Sequence, residues 1–542
     1  MPNQALQPPG TDAFPFEWLE PADAELSWEW DDMHLPFALS PLAGDYAKLM
    51  GEGFAYRYER LELPMQILAR VWNGYAFFAA RYGDPGESSE HFNDRNVAAR
   101  RATVPIAGDY WRERALRELP ELYAAVDGVP VETLTSDELA AAWEPAWGRI
   151  GRAWKIHFFA ITGPYQALND LADLYESIMP NASPGEGLRL VQGGIAELQE
   201  VERGLERLGQ LAAGQPELRE WLLAAEGPTL PELARLPNGA ALVAAITEFL
   251  ARHGHLGQGF DDLALPSWGE EPSLLLSELA KRLRQPATDA GDRQARLASE
   301  SDALADGVRA RLGADAERLA AFEQALAHGR DIGPITEAHN YWIDRMAQAT
   351  LRRFVRRVGG RLVEGAVIEA PDDIFFLGRN EVPDLLRMPR DRRSVVRQRR
   401  DLHARQLAAQ PPRALGQPPG ESSDSRFEVV RTSSTEDGKL QGIGASAGQA
   451  RGPARVTLSP ADFARVQAGD IIVCPSSNPS WVPLFAIAAG LVTNTGGVLS
   501  HAAVVAREFG LPAVVGAGDA TTRIADGRIV ELDGTSGEVR LL

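Results

Sequence analysis

The sequence predicts a multidomain α plus α/β protein: a mainly helical body over residues 1–405, a linker over 406–440 and a compact α/β domain over 441–542. Three observations predict it. Between residues 36 and 405 apolar side chains recur every three or four positions in segments punctuated by Pro and Gly, the period of amphipathic helices. From Gln406 to Lys439 the composition shifts to Pro, Gly, Ser, Asp and Glu, as in Gln417-Pro418-Pro419-Gly420 and Glu421-Ser422-Ser423-Asp424, which reads as linker. Beyond it, short apolar runs such as Ile471 to Cys474 alternate with glycine turns, the pattern of buried strands.

In chain order, residues up to Asp32 carry Trp18, Trp28 and Trp30 among acidic residues. They read as anchors packing an irregular arm, with the lining of a ligand pocket as the alternative. Residues 36–83 read as helical, with Ser40-Pro41-Leu42 as a start and Leu61, Met65, Leu68, Val71 and Tyr75 as one stripe. Further helices are expected over 111–126, 136–168, 187–213, 217–225, 230–252, 272–284, 292–328 and 336–358. No comparable run of strands is expected in the first 400 residues.

Two polar segments interrupt the helices. His253-Gly254-His255-Leu256-Gly257-Gln258-Gly259-Phe260-Asp261-Asp262-Leu263 offers two His and two Asp on glycine-rich backbone, a polar site or a solvated loop. A zinc site is not expected there, because no second ligand pair stands nearby. In Glu337-Ala338-His339-Asn340-Tyr341-Trp342-Ile343-Asp344-Arg345, an α-helix would put His339, Ile343 and Met346 on one face and Asn340, Asp344 and Arg345 on another. The downstream Arg352, Arg353, Arg356 and Arg357 read as a solvated basic face or as phosphate ligands. The Arg-rich run 387–405 reads as an exposed helix.

The formal net charge is −20, which argues against binding a phosphate backbone. The single cysteine, Cys474, excludes an internal disulfide framework. Residues 1–14 lack the basic and apolar regions of a signal peptide, and the apolar run 481–492 is broken by Pro483. The expectation is a cytoplasmic protein with no membrane or nucleic-acid partner.

The chemistry concentrates at Thr495-Gly496-Gly497-Val498-Leu499-Ser500-His501-Ala502-Ala503-Val504-Val505-Ala506-Arg507. Glycines permit a sharp turn after the strand at 491–492, Ser500 is a good N-cap, and Gly510 with Pro512 stops the helix. His501 then sits in the first helical turn, beside free N–H groups that favour an anion; a neutral imidazole there is a nucleophile. The alternative is a capping or packing histidine.

The run from Thr495 to Gly516 closely resembles the phosphohistidine motif of the PEP-utilising enzyme family, as the 475–485 segment resembles the stretch preceding it. The resemblance implies that residues 441–542 form a swivelling β/β/α domain and that His501 carries a phosphoryl group between two sites. Thr495, Gly496, Gly497, Ser500 and Arg507 would then support the phosphate. The His253–Leu263 loop is similar to the GHRG-type loop of the phenylphosphate synthase and rifampin phosphotransferase branch, although a basic residue is usual where Leu256 stands. Asp372-Asp373-Ile374-Phe375-Phe376-Leu377 is similar to the strand-like "DIFFL" segment that ends the family's central domain. By that likeness His255 is the candidate acceptor-side base, with His253, Asp261, His339 and Arg345 as further acceptor-site candidates.

Neither the βαβ alternation of an ATP-grasp domain nor a GxxxxGK[ST] loop is legible, and no PEP-binding barrel follows the His domain. The expectation is therefore a dikinase-type phosphotransferase subunit with no cofactor or metal of its own. Mg-ATP would sit on a separate ATP-grasp partner, and the acceptor would be a hydroxyl, phenolic in view of the many Trp and Tyr. The alternatives are a domain-reduced PEP synthase or pyruvate dikinase, and a non-catalytic regulatory scaffold.

Overall fold

The computed structural model describes the chain except residues 1–13, 33, 83–88, 258–261, 285–289, 410, 419–437, 459 and 478–480. The candidate Asp261 and most of the predicted linker lie outside the described residues.

The body is built mainly from helices, and its largest core cluster lies under the helix Ser136–Ala160. That helix starts in a reciprocal capping box: Thr135 Oγ1 accepts from the Glu138 N–H while the Glu138 carboxylate accepts from the Thr135 N–H. Trp143, Trp147 and Trp154 recur along one face of it, all essentially without exposure. They pack against the Pro41–Arg60 and Met346–Glu364 helices. The tryptophan content thus serves packing in large part.

One departure from the sequence reading is a four-stranded antiparallel sheet in the N-terminal part, in the order β2-β3-β1-β4. Its strands are β1 (Ser27–Trp30), β2 (Met65–Trp72), β3 (Tyr75–Tyr82) and β4 (Ala414–Gly416). The β2–β3 hairpin replaces the expected helical stripe through Met65, Leu68, Val71 and Tyr75. Its cause is local. Asn73 and Gly74 both take positive φ (47° and 83°), the two-residue turn whose twist matches paired strands, and Asn-Gly is its preferred sequence. Strand β4 falls inside the segment read as linker and pairs with β1, whose Trp28 packs edge-on to Trp72. Trp18 and Trp28 therefore anchor the N-terminal segment on this sheet, with Trp30 against Tyr75.

The remaining strands form the C-terminal domain: β5 (Lys439–Gln441), β6 (Ile443–Ser446), β7 (Gln449–Val456), β8 (Ile471–Cys474), β9 (Gly490–Thr493), β10 (Ala513–Val515), β11 (Ile529–Asp533) and β12 (Glu538–Leu541). They make one eight-stranded mixed sheet, ordered β5-β12-β11-β7-β8-β9-β10-β6, with parallel pairing from β7 through β10. Strand β8 is buried on both faces, which explains its unbroken apolar run. Ile472, Cys474 and Leu491 meet the helix His501–Phe509 through Ala503 and Ala506, while Ile471, Val473 and Val492 point to the opposite core with Leu532.

Two further corrections concern the polar segments. Pro371–Phe376 is a 3-10 turn, not a strand; Asp373 accepts from the Glu369 and Ala370 N–H groups and caps it. The basic side chains after Arg345 are ion-paired: Arg352 with Glu270, Arg353 with Asp127, Arg356 with Asp372 and Arg357 with Glu132. They tie the Met346–Glu364 helix to its neighbours, and Arg352 is buried, so this is not a uniformly solvated face. No helix among the described residues is long and apolar enough to cross a membrane.

Candidate active site

His501 opens the helix His501–Phe509, where Ser500 is the N-cap and its Oγ accepts from the Ala503 N–H at 3.4 Å. The turn before it needs glycine. Gly496 has φ +129°, and a Cβ there would come within 3.0 Å of Ser500 Oγ. Thr495 donates N–H to the Pro475 carbonyl at 3.0 Å, and its own carbonyl accepts from Thr493 Oγ1 at 2.7 Å, so the strand end cannot drift. The Gly497 carbonyl accepts from the Ser500 N–H.

Arg507 sits elsewhere than the phosphate role implies. Its guanidinium is buried and donates to the carbonyls of Ala445 (2.9 Å) and Val498 (2.8 Å), and burial lowers its pKa to about 10. It fixes the loop that presents His501 and does not line the pocket beside it.

The partner of His501 comes from the body. Glu337 Oε2 lies 2.7 Å from His501 Nδ1 and also accepts from Asn340 Nδ2 at 2.8 Å. Both side chains are largely enclosed, at 13% and 6% exposure. A carboxylate can only accept, so the ring carries its proton on Nδ1 and leaves the Nε2 lone pair free. Nε2 makes no hydrogen bond and is shut off from bulk solvent.

His501 forms part of the wall of a pocket between body and domain, with about 660 Å³ of empty space including its mouth. Val482, Pro483 and Val505 line it from the domain; Leu198, Val201, Leu205, Leu256 and Trp268 line it from the body. Glu197, Glu202, Glu337, Asn340, Tyr341 and Arg345 supply the polar groups. A mostly apolar cleft with a few convergent polar groups is the usual form of a small-molecule site.

Of the sequence candidates, Arg345 reaches this pocket, buried and donating from Nη2 to the Gly257 carbonyl at 2.5 Å. His255 does not line it. The ring packs edge-on to Tyr341 at 4.4 Å, and burial followed by the Arg345 charge lowers its pKa to about 3, which suits a proton acceptor poorly at neutral pH. His253 lies one step further back, with Nδ1 2.9 Å from Tyr341 Oη. His339 points away into the body, its Nδ1 on the Ile335 carbonyl at 3.0 Å.

The reason for that divergence is a π-turn. Asn340–Arg345 is a single π-helical turn between the helices Ile335–His339 and Met346–Glu364. An α-helix would leave residues five apart roughly 140° from one another around the axis; the wider turn brings His339 and Asp344 together instead. The faces expected from α periodicity are thereby corrected: Glu337, Asn340, Tyr341 and Arg345 line the pocket, while His339 and Asp344 share the far side with His157. Such π-turns recur at functional sites. Glu337, Asn340 and Tyr341 were passed over as site residues, and the signal that could have found them was their one-turn spacing on a segment crowded with polar groups.

The contact between domain and body extends beyond the pocket. Glu508 accepts from the Gly193 N–H at 2.8 Å, Arg293 lies over the Phe509 ring, and Val498 and Leu499 pack on Leu188 and Leu168. Burial raises the Glu508 pKa from 4.5 to about 7, against the lowering effect of the Gly193 and Ile195 backbone donors. The docked state therefore holds a proton that an undocked domain releases. Docking is fully favoured below the ordinary value of 4.5 and weakens as pH climbs towards 7. Small-angle scattering should show a larger radius of gyration at pH 8 than at pH 5.5, a difference that Glu508→Gln removes. An unchanged radius would contradict this.

Residues 466–537 match the family model of the PEP-utilising enzyme mobile domain, and residues 166–337 match the rifampicin phosphotransferase fourth domain. The C-terminal unit thus resembles the mobile domain of PEP-utilising enzymes, and part of the body resembles the fourth domain of rifampicin phosphotransferases. The chain is 31% identical to chondramide synthase cmdD of Chondromyces crocatus, over 98% of this chain and 14% of the relative. It is 26% identical to the uncharacterized phosphotransferase YvkC of Bacillus subtilis, over 81% and 53%, and 30% identical to a rifampicin phosphotransferase of Streptomyces sviceus, over 71% and 44%. The chain therefore covers less than two thirds of the length of each of these three relatives.

Proposed function

We propose that this chain is the carrier and acceptor part of an ATP-dependent phosphotransferase, with His501 Nε2 as the atom that bears the phosphoryl group. The supporting observation is the Glu337 carboxylate on Nδ1, which leaves Nε2 unprotonated on a ring that forms part of a pocket wall. In the first half-reaction the Nε2 lone pair attacks a phosphorus of ATP held by an ATP-grasp unit on a separate chain, and the P–O bond to the nucleotide leaving group breaks. In the second, an acceptor hydroxyl oxygen attacks that phosphorus, the P–N bond breaks, and the imidazole recovers its lone pair. The hydroxyl proton passes to a lining carboxylate, for which Glu197 is available; Arg345 balances the phosphoryl charge.

Trp268, Tyr341 and the aliphatic lining suit a large, largely apolar acceptor, in keeping with an aromatic hydroxyl. A domain-reduced pyruvate or PEP enzyme fits less well, because that apolar lining offers little to a small, highly charged carboxylate.

Nε2 is closed off in the docked arrangement, so reaching a donor site requires the domain to leave the body. A cysteine pair placed across the docked contact, where Val498 and Leu499 pack on Leu188 and Leu168, should lock it down. Cys474 is buried and need not be replaced. With the partner and labelled ATP, the oxidised protein should neither take label on His501 nor phosphorylate an acceptor, and reduction should restore both. Undiminished labelling of the locked protein would end the carrier reading.

A further inference from the structure

On the side of the π-turn away from the pocket, His157, His339 and Asp344 converge in the interior. We propose that they form a binding site for a zinc-type divalent transition-metal ion, with a coordination position left open to water. One ligand atom from each residue lies within 4.8 Å of the other two, and all three side chains are more than nine-tenths buried.

The hydrogen bonding around these groups leaves unpartnered ligand atoms aimed at one another. His339 Nδ1 lies 3.0 Å from the Ile335 carbonyl, so it carries the ring proton and Nε2 presents a lone pair. That lone pair faces Asp344 Oδ2 at 3.9 Å, beyond hydrogen-bond distance. His157 Nε2 stands 3.4 Å from Asp344 Oδ1 without hydrogen-bond alignment. Among the described residues, both nitrogens of His157 and Oδ1 of Asp344 find no hydrogen-bond partner. Buried polar atoms are rarely left so, and three within one cluster mark a missing occupant.

The spacing suits a metal. With metal–nitrogen and metal–oxygen bonds of about 2.0–2.2 Å, neighbouring donors in a tetrahedral shell stand roughly 3.3–3.6 Å apart. The 3.4 Å separation of His157 Nε2 from Asp344 Oδ1 already fits, and with one donor from each residue all within 4.8 Å of one another the shell closes by side-chain movement. The Ile335 carbonyl supplies the outer-shell acceptor that orients metal-binding histidines. Two imidazoles with one carboxylate select zinc, cobalt or ferrous ions over magnesium or calcium. The ion would tie the π-turn to the helix Ser136–Ala160, and so hold the segment that carries Glu337. The site does not rest on the phosphoryl-transfer reading.

The full-length chain, stripped with chelator, is titrated with Co²⁺ and Zn²⁺ and its metal content measured after desalting. One equivalent per chain is expected, with a cobalt visible spectrum typical of low coordination number. Asp344→Asn, nearly isosteric, should weaken binding at least tenfold, while His328→Gln should not. In ¹⁵N-histidine-labelled wild-type protein, Zn²⁺ should shift the ring resonances of His157 and His339 and leave those of His501 in place, which keeps the test decisive even if a variant misfolds. No retained metal, or retention with His157 and His339 unshifted, would overturn the proposal.

Discussion

His501→Ala removes all phosphoryl labelling of this chain. With an ATP-grasp partner and labelled ATP, the wild-type protein is expected to accumulate acid-labile, base-stable label, and the variant none above background. The reason is chemical: Nε2 is the nucleophile, and none of the other side chains lining the pocket is an imidazole. Because His501 is the first residue of a helix whose Ser500 cap is untouched by the change, the substitution should leave the domain folded. Thermal unfolding of the two proteins should therefore nearly coincide. Full labelling of the alanine variant would place the phosphoryl group elsewhere.

Glu337→Gln carries the second largest effect. In the docked state the carboxylate holds a proton on Nδ1 of the phosphorylated ring and makes the imidazole a better leaving group, which a neutral amide does not. By the magnitude seen when a carboxylate that orients a catalytic imidazole becomes an amide, the loss should be roughly 10²–10⁴-fold in the rate of transfer from His501 to the acceptor, with little change in the labelling of the undocked domain. Binding of the acceptor should change far less. An unaltered transfer rate would mean that Glu337 is only a docking contact. Asn340, which donates to the same carboxylate oxygen, should show a smaller effect in the same direction when changed to Ala.

Much of this was legible in the sequence and some could not be. His501, its glycine turn and its Ser500 cap form one contiguous local pattern whose geometry follows from capping and glycine rules. The helical body follows from apolar periodicity, with ends that the structure mostly moves by a few residues or divides, as at Ile161 between the helices Ser136–Ala160 and Thr162–Ile178. The β2–β3 hairpin was hidden because its apolar positions also satisfy a three-and-four spacing; Asn73-Gly74 held the decisive information. Strand β4 was hidden because three residues amid prolines carry almost no pattern, and the pairing that makes them a strand comes from β1.

The site was half legible for a different reason. Glu337 stands 164 residues before His501 and meets it only through docking, a distance that no local spacing encodes. A helical wheel drawn with α geometry directs attention to His339 and leaves Glu337 out, since it contains no π-turn. His157 comes from a third segment, so the cluster with His339 and Asp344 is purely tertiary. His255 drew attention by its glycine-rich setting, yet burial behind Tyr341 takes it out of the pocket wall.

The central claim concerns one atom and can be read directly. In ¹⁵N-histidine-labelled protein at neutral pH, correlation of the ring nitrogens with the ring protons should show His501 protonated on Nδ1 and unprotonated on Nε2. After phosphorylation, the phosphorus coupling should appear on Nε2. A resting ring that carries its proton on Nε2, or a phosphoryl group found on Nδ1, would contradict the account.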